Sequence, residues 1–291
     1  MMWLGGVLIA ALGHCAPTLP PSAVGACGFD QQLMQFRGPA QEQAACLLRT
    51  VQPWGRVTLQ PAVLPDSLRR LMDRPTASWK TRLRQWLASH GLPERDIGGS
   101  LDAPLSAAQG QDGTAVYARY FVIHDTSWPW LDGGVFPSEA DMHINDLGAY
   151  AHATTAQAHV FVNRLGQTFT AHGFDEAWRA TKLELRAIGA PAKGLFLHIE
   201  LVQPRRRDPS GPAGNDALAP SPGFTVAQYD ALALLYMVAS VRAGTGLIPG
   251  LHGALDEGMA NGHDDPQHFE LDAFGAALAR LEARLAASEE R

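Results

Sequence analysis

The sequence predicts an α/β fold: a mixed central β-sheet flanked by helices, with a small helical segment ahead of it. Three stretches carry that reading. Tyr120-Phe-Val-Ile-His124-Asp125-Thr126-Ser127 is rich in β-branched and aromatic residues, the types that fit a packed, pleated surface. It stops at Trp128-Pro129, where proline ends a ladder. His159 to Thr170 reads as a hairpin, with β-rich runs on either side of Asn163-Arg-Leu-Gly166 and a glycine able to take positive φ. Thr225-Val-Ala-Gln228 is a capping box. It opens a helix to about Arg242 that is apolar nearly all round, which predicts deep burial.

Composition sets the outer bounds. The chain has 291 residues, 46% hydrophobic and 18% charged, which is globular composition. A net charge of -6 argues against nucleic acid as a partner, because phosphate binding wants a basic surface. A monomer is expected. Of the 11 histidines most lie in the second half, where they offer several candidate ligands.

Residues 1–26 read as a signal peptide and tether. Met1 to Cys15 has no Lys or Arg; the first is Arg37. The apolar run is too short to span a bilayer as a helix, and it matches a secretory h-region that lacks its basic n-region. The expected location is therefore periplasmic or secreted. Leu12-Gly13-His14-Cys15 loosely resembles a bacterial lipobox, so membrane attachment through lipid on Cys15 is the alternative. If Cys15 is lost or lipidated, Cys27 and Cys46 remain as a pair that could close a small loop in an oxidising compartment. No two cysteines have the spacing of a zinc site.

Residues 27–110 read as a helical segment and linker. Gln41 to Leu48 has helical spacing. A second helix opens at Asp66, with Asp66 or Ser67 as its cap, and a third covers Ser78 to Ala88 with Trp79, Leu83, Trp86 and Leu87 on one face. Residues 98–114 are rich in Gly, Ser, Ala and Asp and read as a linker or surface loop. Residues 111–291 form the main domain. Its first strand includes Val116 and Tyr117 and ends at His124. A long polar stretch to Gln157 follows, of a length usually found bordering a site. Gly194 to Val202 is a strand that puts His198 and Glu200 on one face, with Leu197, Ile199 and Leu201 on the other. Arg205-Arg-Arg207 sits in a Pro/Gly/Ser loop and reads as a solvated face. Leu247 to His252 is a short extended segment, Asp256 to Pro266 a turn-rich loop, and residues 271–288 an amphipathic helix.

Three segments each bring a candidate zinc ligand to the end of an element: His124, His252, and Asp264 or Asp265. Catalytic zinc takes three His or carboxylate ligands and leaves one position open. Glu200 lies in an otherwise apolar strand, where a carboxylate is costly unless paired or used. A general base is one such use.

The ordered set resembles a known family. It runs from strand-His124-Asp125-Thr126 through the hairpin, Ala177-Trp178, Ile199-Glu200-Leu201, the helix with Gln228 and Gly250-Leu-His252 to Asp265-Pro266. It is similar to the zinc-dependent N-acetylmuramoyl-L-alanine amidases of the type shared with peptidoglycan recognition proteins. The resemblance covers roughly Val116 to Phe274. It implies Zn2+ on His124, His252 and Asp265, with Asp265 chosen because the family's aspartate directly precedes proline. It further implies Glu200 as catalytic residue, peptidoglycan as substrate, and cleavage of the amide between N-acetylmuramic acid and L-alanine. His263 stands where the family commonly has lysine, and the resemblance assigns it to the developing oxyanion. His198, Trp178 and His159 fall at positions expected to border the substrate. Departures are His198 in place of a glycine, Arg179 and Thr181 in the Ala-Trp motif, and a polar insertion between His252 and Asp265. Some family members bind peptidoglycan without cleaving it, which is the alternative function.

Overall fold

The computed structural model describes residues 23–110, 112–150, 158–212 and 215–287. The expectations placed on Met1 to Cys15 lie outside these residues, as does His152. Five strands form the central sheet: β1 (Tyr120–Asp125), β2 (Val160–Val162), β3 (Thr168–Thr170), β4 (Phe196–Leu201) and β5 (Ile248–Leu251). Their order is β3-β2-β4-β1-β5. The β2–β3 pair is antiparallel and the other three pairs are parallel, so the sheet is mixed.

The local sequence explains the elements. In the β2–β3 turn, Gly166 takes φ +77°, and a Cβ there would meet the Ala227 carbonyl oxygen at 2.6 Å. Glycine is needed both for the turn and for the close approach of the next helix. That helix, α4 (Val226–Ala243), starts with the Thr225–Gln228 capping box. It packs against α6 (Leu271–Ala287). The strand β5 is an edge strand, where Pro249 removes no ladder bond that the sheet requires. Against its face packs α1 (Ala40–Leu47); a Cβ on Gly250 would meet Leu47 Cβ at 3.0 Å.

The sheet's two faces are covered differently. On one, Phe121 of β1 meets Tyr236 of α4 edge-on at 5.3 Å, and Tyr236 meets Phe274 of α6 at 5.8 Å. On the other, Tyr120 stacks on Phe196 at 4.9 Å, and Phe36 from the N-terminal region stands edge-on to Tyr120 at 5.1 Å. The Tyr120 hydroxyl accepts from the Phe36 N–H and donates to Gln43, and burial pushes its pKa up to about 12.

The N-terminal region contains α1, α2 (Asp66–Asp73) and α3 (Lys80–Ser89), but it is not wholly helical. Phe29–Asp30 pairs with both Ala23–Val24 and Gln35–Phe36, and Val51–Gln52 pairs with Arg56–Val57. Strands of two residues show no readable alternation. The residue ahead of α2 is Pro65, and neither Asp66 nor Ser67 caps the helix. The Ser67 hydroxyl donates to the Gly275 carbonyl instead. Residues 98–114 are more than a surface loop. Leu101, Leu105 and Ala108 are buried, and Ala107–Gln109 pairs with Ala115–Tyr117. Val116 and Tyr117 therefore belong to this hairpin and not to β1. Cys27 and Cys46 are joined by a disulfide. Among the described residues no helix is long and apolar enough to cross a membrane.

Candidate metal centre

The sheet register assembles the site. Glu200 of β4 lies opposite His124 of β1. On the other side of β1, Leu251 lies opposite Ile123, so the next residue, His252, arrives beside His124. These side chains stand at the carboxyl ends of parallel strands, where open α/β sheets place their sites. A short helix, α5 (His252–Leu255), starts at His252. The chain then loops back, and the Gly253 N–H donates to the Asp265 carbonyl at 2.7 Å. The Asp125 N–H donates to Asp265 Oδ2 at 3.2 Å.

Three ligand atoms converge. His124 Nδ1 is 2.8 Å from His252 Nδ1, which is 3.0 Å from Asp265 Oδ2, and His124 Nδ1 is 3.8 Å from that oxygen. All three residues are buried and their ligand atoms lie within 4.8 Å of one another. Around a tetrahedral zinc with bonds of about 2.0–2.1 Å, neighbouring ligands stand about 3.3 Å apart. The observed spacings bracket that value, and the set of two imidazoles and one carboxylate suits zinc. Glu200 Oε2 is buried with no hydrogen-bond partner, as expected of an atom that faces a cation or a reacting group. The cluster could therefore hold a metal ion. Glu200 Oε1 lies 4.0 Å from His124 Nδ1.

The electrostatics are those of a tight, dry group of charges. Burial, with the His252 ring close by, holds His124 well below the ordinary imidazole value. Burial also opposes a charge on His252, but Asp265 and Asp256 together raise it well above that value. For Asp265, burial is outweighed by His252, which holds the carboxyl well below its usual range. Burial drives Glu200 well above its usual range, with Asp265 and Asp125 adding to the effect.

Four neighbours went unassigned in the sequence. Asp256 Oδ2 lies 3.0 Å from His252 Nε2, so a carboxylate backs the outer nitrogen of that ring. The signal for it was the spacing, four residues on in a helical turn. Arg205 is 1% exposed and not solvated as its basic triplet suggested. Its Nη2 meets Asp125 at 2.6 Å and its Nη1 meets Asp264 at 3.6 Å. Two acids flanking the ligands, Asp125 and Asp264, needed a cation, and only the first arginine of the triplet turns inward to supply it. Asp264 is thereby engaged away from the cluster, and Asp265 is the one that joins the two histidines. Lys182 lines a cavity of about 300 Å³ together with Ser127, Trp130, Asn215, His263 and Asp264. Glu184 is the fourth. The Thr181 hydroxyl accepts from its N–H while its carboxylate accepts from the Thr181 N–H, the reciprocal pattern of a T-x-x-E box.

The remaining predicted residues fall into two groups. His263 stacks on His252 at 4.4 Å, puts Nδ1 3.4 Å from Asp265 Oδ1, and is half exposed, so it stands between the cluster and the cavity. His198 and His159 are both 0% exposed and do not border a groove. Strand parity turned them inward beneath the site: His198 Nδ1 is 3.0 Å from His124 Nε2, and His159 stacks on His198 at 5.6 Å. Trp178 is half-buried and stacks on His172 at 4.0 Å, at the far end of the ring row His124, His198, His159, His172.

No family model matches the chain, and no curated protein matches it. Two solved structures are similar to it. One is a selenomethionine derivative of AmpD, 21% identical, with a TM-score of 0.37, covering 63% of this chain and 98% of that one. The other is the endolysin of the Thermus scotoductus MAT2119 bacteriophage Ph2119, 17% identical, with a TM-score of 0.31, covering 57% of this chain and 87% of that one.

Proposed function

We propose that this chain is a zinc-dependent amidase of peptidoglycan that cleaves the bond between N-acetylmuramic acid and L-alanine. One observation carries the reading: Glu200, a carboxylate with an unpartnered buried oxygen, is the register partner of His124 in a cluster of two histidines and one aspartate. The amide as target rests on the motif order of the sequence. His124, His252 and Asp265 would hold the ion. The chemistry a zinc ion would supply there is acidification of a water, to a pKa of about 7, and polarisation of the carbonyl.

The chain's own residues do the rest. Glu200 takes a proton as the water oxygen bonds to the lactyl carbonyl carbon. It returns that proton to the alanine nitrogen as the carbon–nitrogen bond breaks, leaving a lactyl carboxyl group and a free amine. His263 Nε2 or Nδ1 donates to the oxygen on which charge develops. The cavity beside His263 and Lys182 receives the part of the substrate next to the scissile bond. Export to the periplasm or beyond belongs to the same proposal, since the wall lies there.

Mass spectrometry of products from purified wall, with and without a chelator, tests it. Release of stem peptides with free L-alanine amino termini, abolished by chelation and restored by zinc, is the expected result. Intact wall recovered alongside zinc-loaded protein would replace hydrolysis with binding only.

A further inference from the structure

The cluster's two imidazoles are backed differently. His252 has a carboxylate, Asp256, directly on its outer nitrogen, whereas His124 has a second imidazole there, His198, with Glu184 behind it. We propose that His198 and Glu184 are positioning residues for His124: together they keep its proton on Nε2 and its ring aimed so that Nδ1 is free to bind the ion. The inference rests on the zinc reading above.

Proton counting along the row supports it. The His198 backbone N–H donates to His159 Nδ1 at 3.0 Å, and His159 Nε2 lies 3.0 Å from the Glu176 carbonyl. His159 therefore carries its proton on Nε2 and has none to give on the His198 side. Glu184 Oε2 accepts from the Ala180 N–H, the Thr181 N–H and the Thr181 hydroxyl, the surroundings of a carboxylate. His198 Nε2 lies 3.3 Å from that same oxygen, and both side chains have no exposed surface. Among the described residues His198 Nε2 has no other polar neighbour to serve, and Glu184 Oε1 is buried without a hydrogen bond. A protonated Nε2 on His198 is thus the form the site favours. That leaves its Nδ1 as an acceptor, so the proton in the 3.0 Å contact with His124 must sit on His124 Nε2. His124 Nδ1 then presents a lone pair toward His252 and Asp265. Outer partners of this kind fix ring orientation and raise ligand basicity, and losing one typically costs about 10–100-fold in metal affinity.

Glu184 owes its place to an unusual turn. It lies in a π-helix, Leu183–Ile188, anchored by the Thr181 bonds and by the Leu183 N–H, which donates to Asp256. One short element thereby touches the supports of both imidazoles.

The test is zinc affinity of the full chain, by competition with a chromogenic chelator. His198→Phe keeps a ring of similar shape without nitrogens, and Glu184→Gln keeps the volume without the charge. Both are expected to weaken zinc binding about 10–100-fold, with the circular dichroism spectrum of the chelated protein unchanged. Long-range ¹H–¹⁵N spectra of the zinc-loaded wild type are expected to show His198 protonated on Nε2 only, a signature that a merely space-filling ring would not fix. If His198→Phe fails to fold, Glu184→Gln and the wild-type tautomer decide the question. Unchanged affinity in the folded variants, or a His198 proton on Nδ1, overturns the inference while leaving the zinc centre standing. Failure of the unmutated chain to take up zinc removes both.

Discussion

The two faces of β1 and β4 use the same strands for opposite purposes. Toward α4, Phe121, Ile123, Leu197 and Ile199 are apolar along the whole length and fully buried. On the other face, Tyr120 and Phe196 begin an aromatic stack and give way to His198, His124 and Glu200 toward the strands' carboxyl ends. The pleat alone separates them, since alternate residues point to opposite sides. Cohesion and chemistry are thus held one residue apart along one backbone. A substitution's effect should depend on its parity more than on its distance from the centre.

The largest expected break is on the polar face. His252→Ala should take bound zinc from about one ion per chain to background by elemental mass spectrometry, because two ligands do not replace three. Next comes Glu200→Gln, expected to lower hydrolysis by about 10²–10⁴-fold while zinc stays bound. The same change should leave melting temperature equal or higher, since it removes a buried carboxylate with an unpaired oxygen. Across the strand, Phe121→Ala should do the reverse: a loss of about 3–5 kcal/mol in denaturant unfolding, with zinc content intact. Chelation of the wild type should cost about 2.7 kcal/mol relative to free zinc at a hundred times Kd. Phe121→Ala should show that same difference, which would confirm that the faces act independently.

The smallest effect is expected away from both faces. Arg84 meets Glu94 and Asp102 at the surface, and Lys80 also meets Asp102. Slight burial opposes it, but the Leu101 N–H and Arg84 hold Glu94 below its usual range; Lys80 and Arg84 do the same for Asp102. Carboxyls lowered in the folded state add stability above their unfolded values and lose it as pH falls through the folded ones. Arg84→Ala should therefore shift melting only slightly near neutrality, not at all in strong acid, and less as salt rises.

Much of this was legible in the sequence, for reasons that differ by residue. The strand ending at His124, the hairpin with Gly166 and the capped helix at Thr225 have periodicities or turn chemistry that act locally. The positions of His252 and Asp265 were readable from motif order. Their convergence depends on parallel pairing between segments more than 100 residues apart, which no local pattern encodes. His198 and His159 were read as bordering substrate because a histidine in a strand looks the same whether it faces a groove or a support. Arg205 was hidden in a triplet whose other members are half-buried (Arg206) and exposed (Arg207). Glu184 had a T-x-x-E signature in Thr181-Lys-Leu-Glu184, but its meaning depends on a π-turn.

Pro249 and α1 have a last consequence. The outermost strand of a sheet is a template on which a second molecule can extend the ladder, and long exposed edges invite aggregation. Here that border lacks one amide donor at Pro249, and α1, tied at Cys46 by the disulfide, packs against the face of the same strand at Gly250. A proline on this border disfavours strand addition beside the clustered histidines, so self-association by that route should begin more readily at the far border, along Thr168–Thr170.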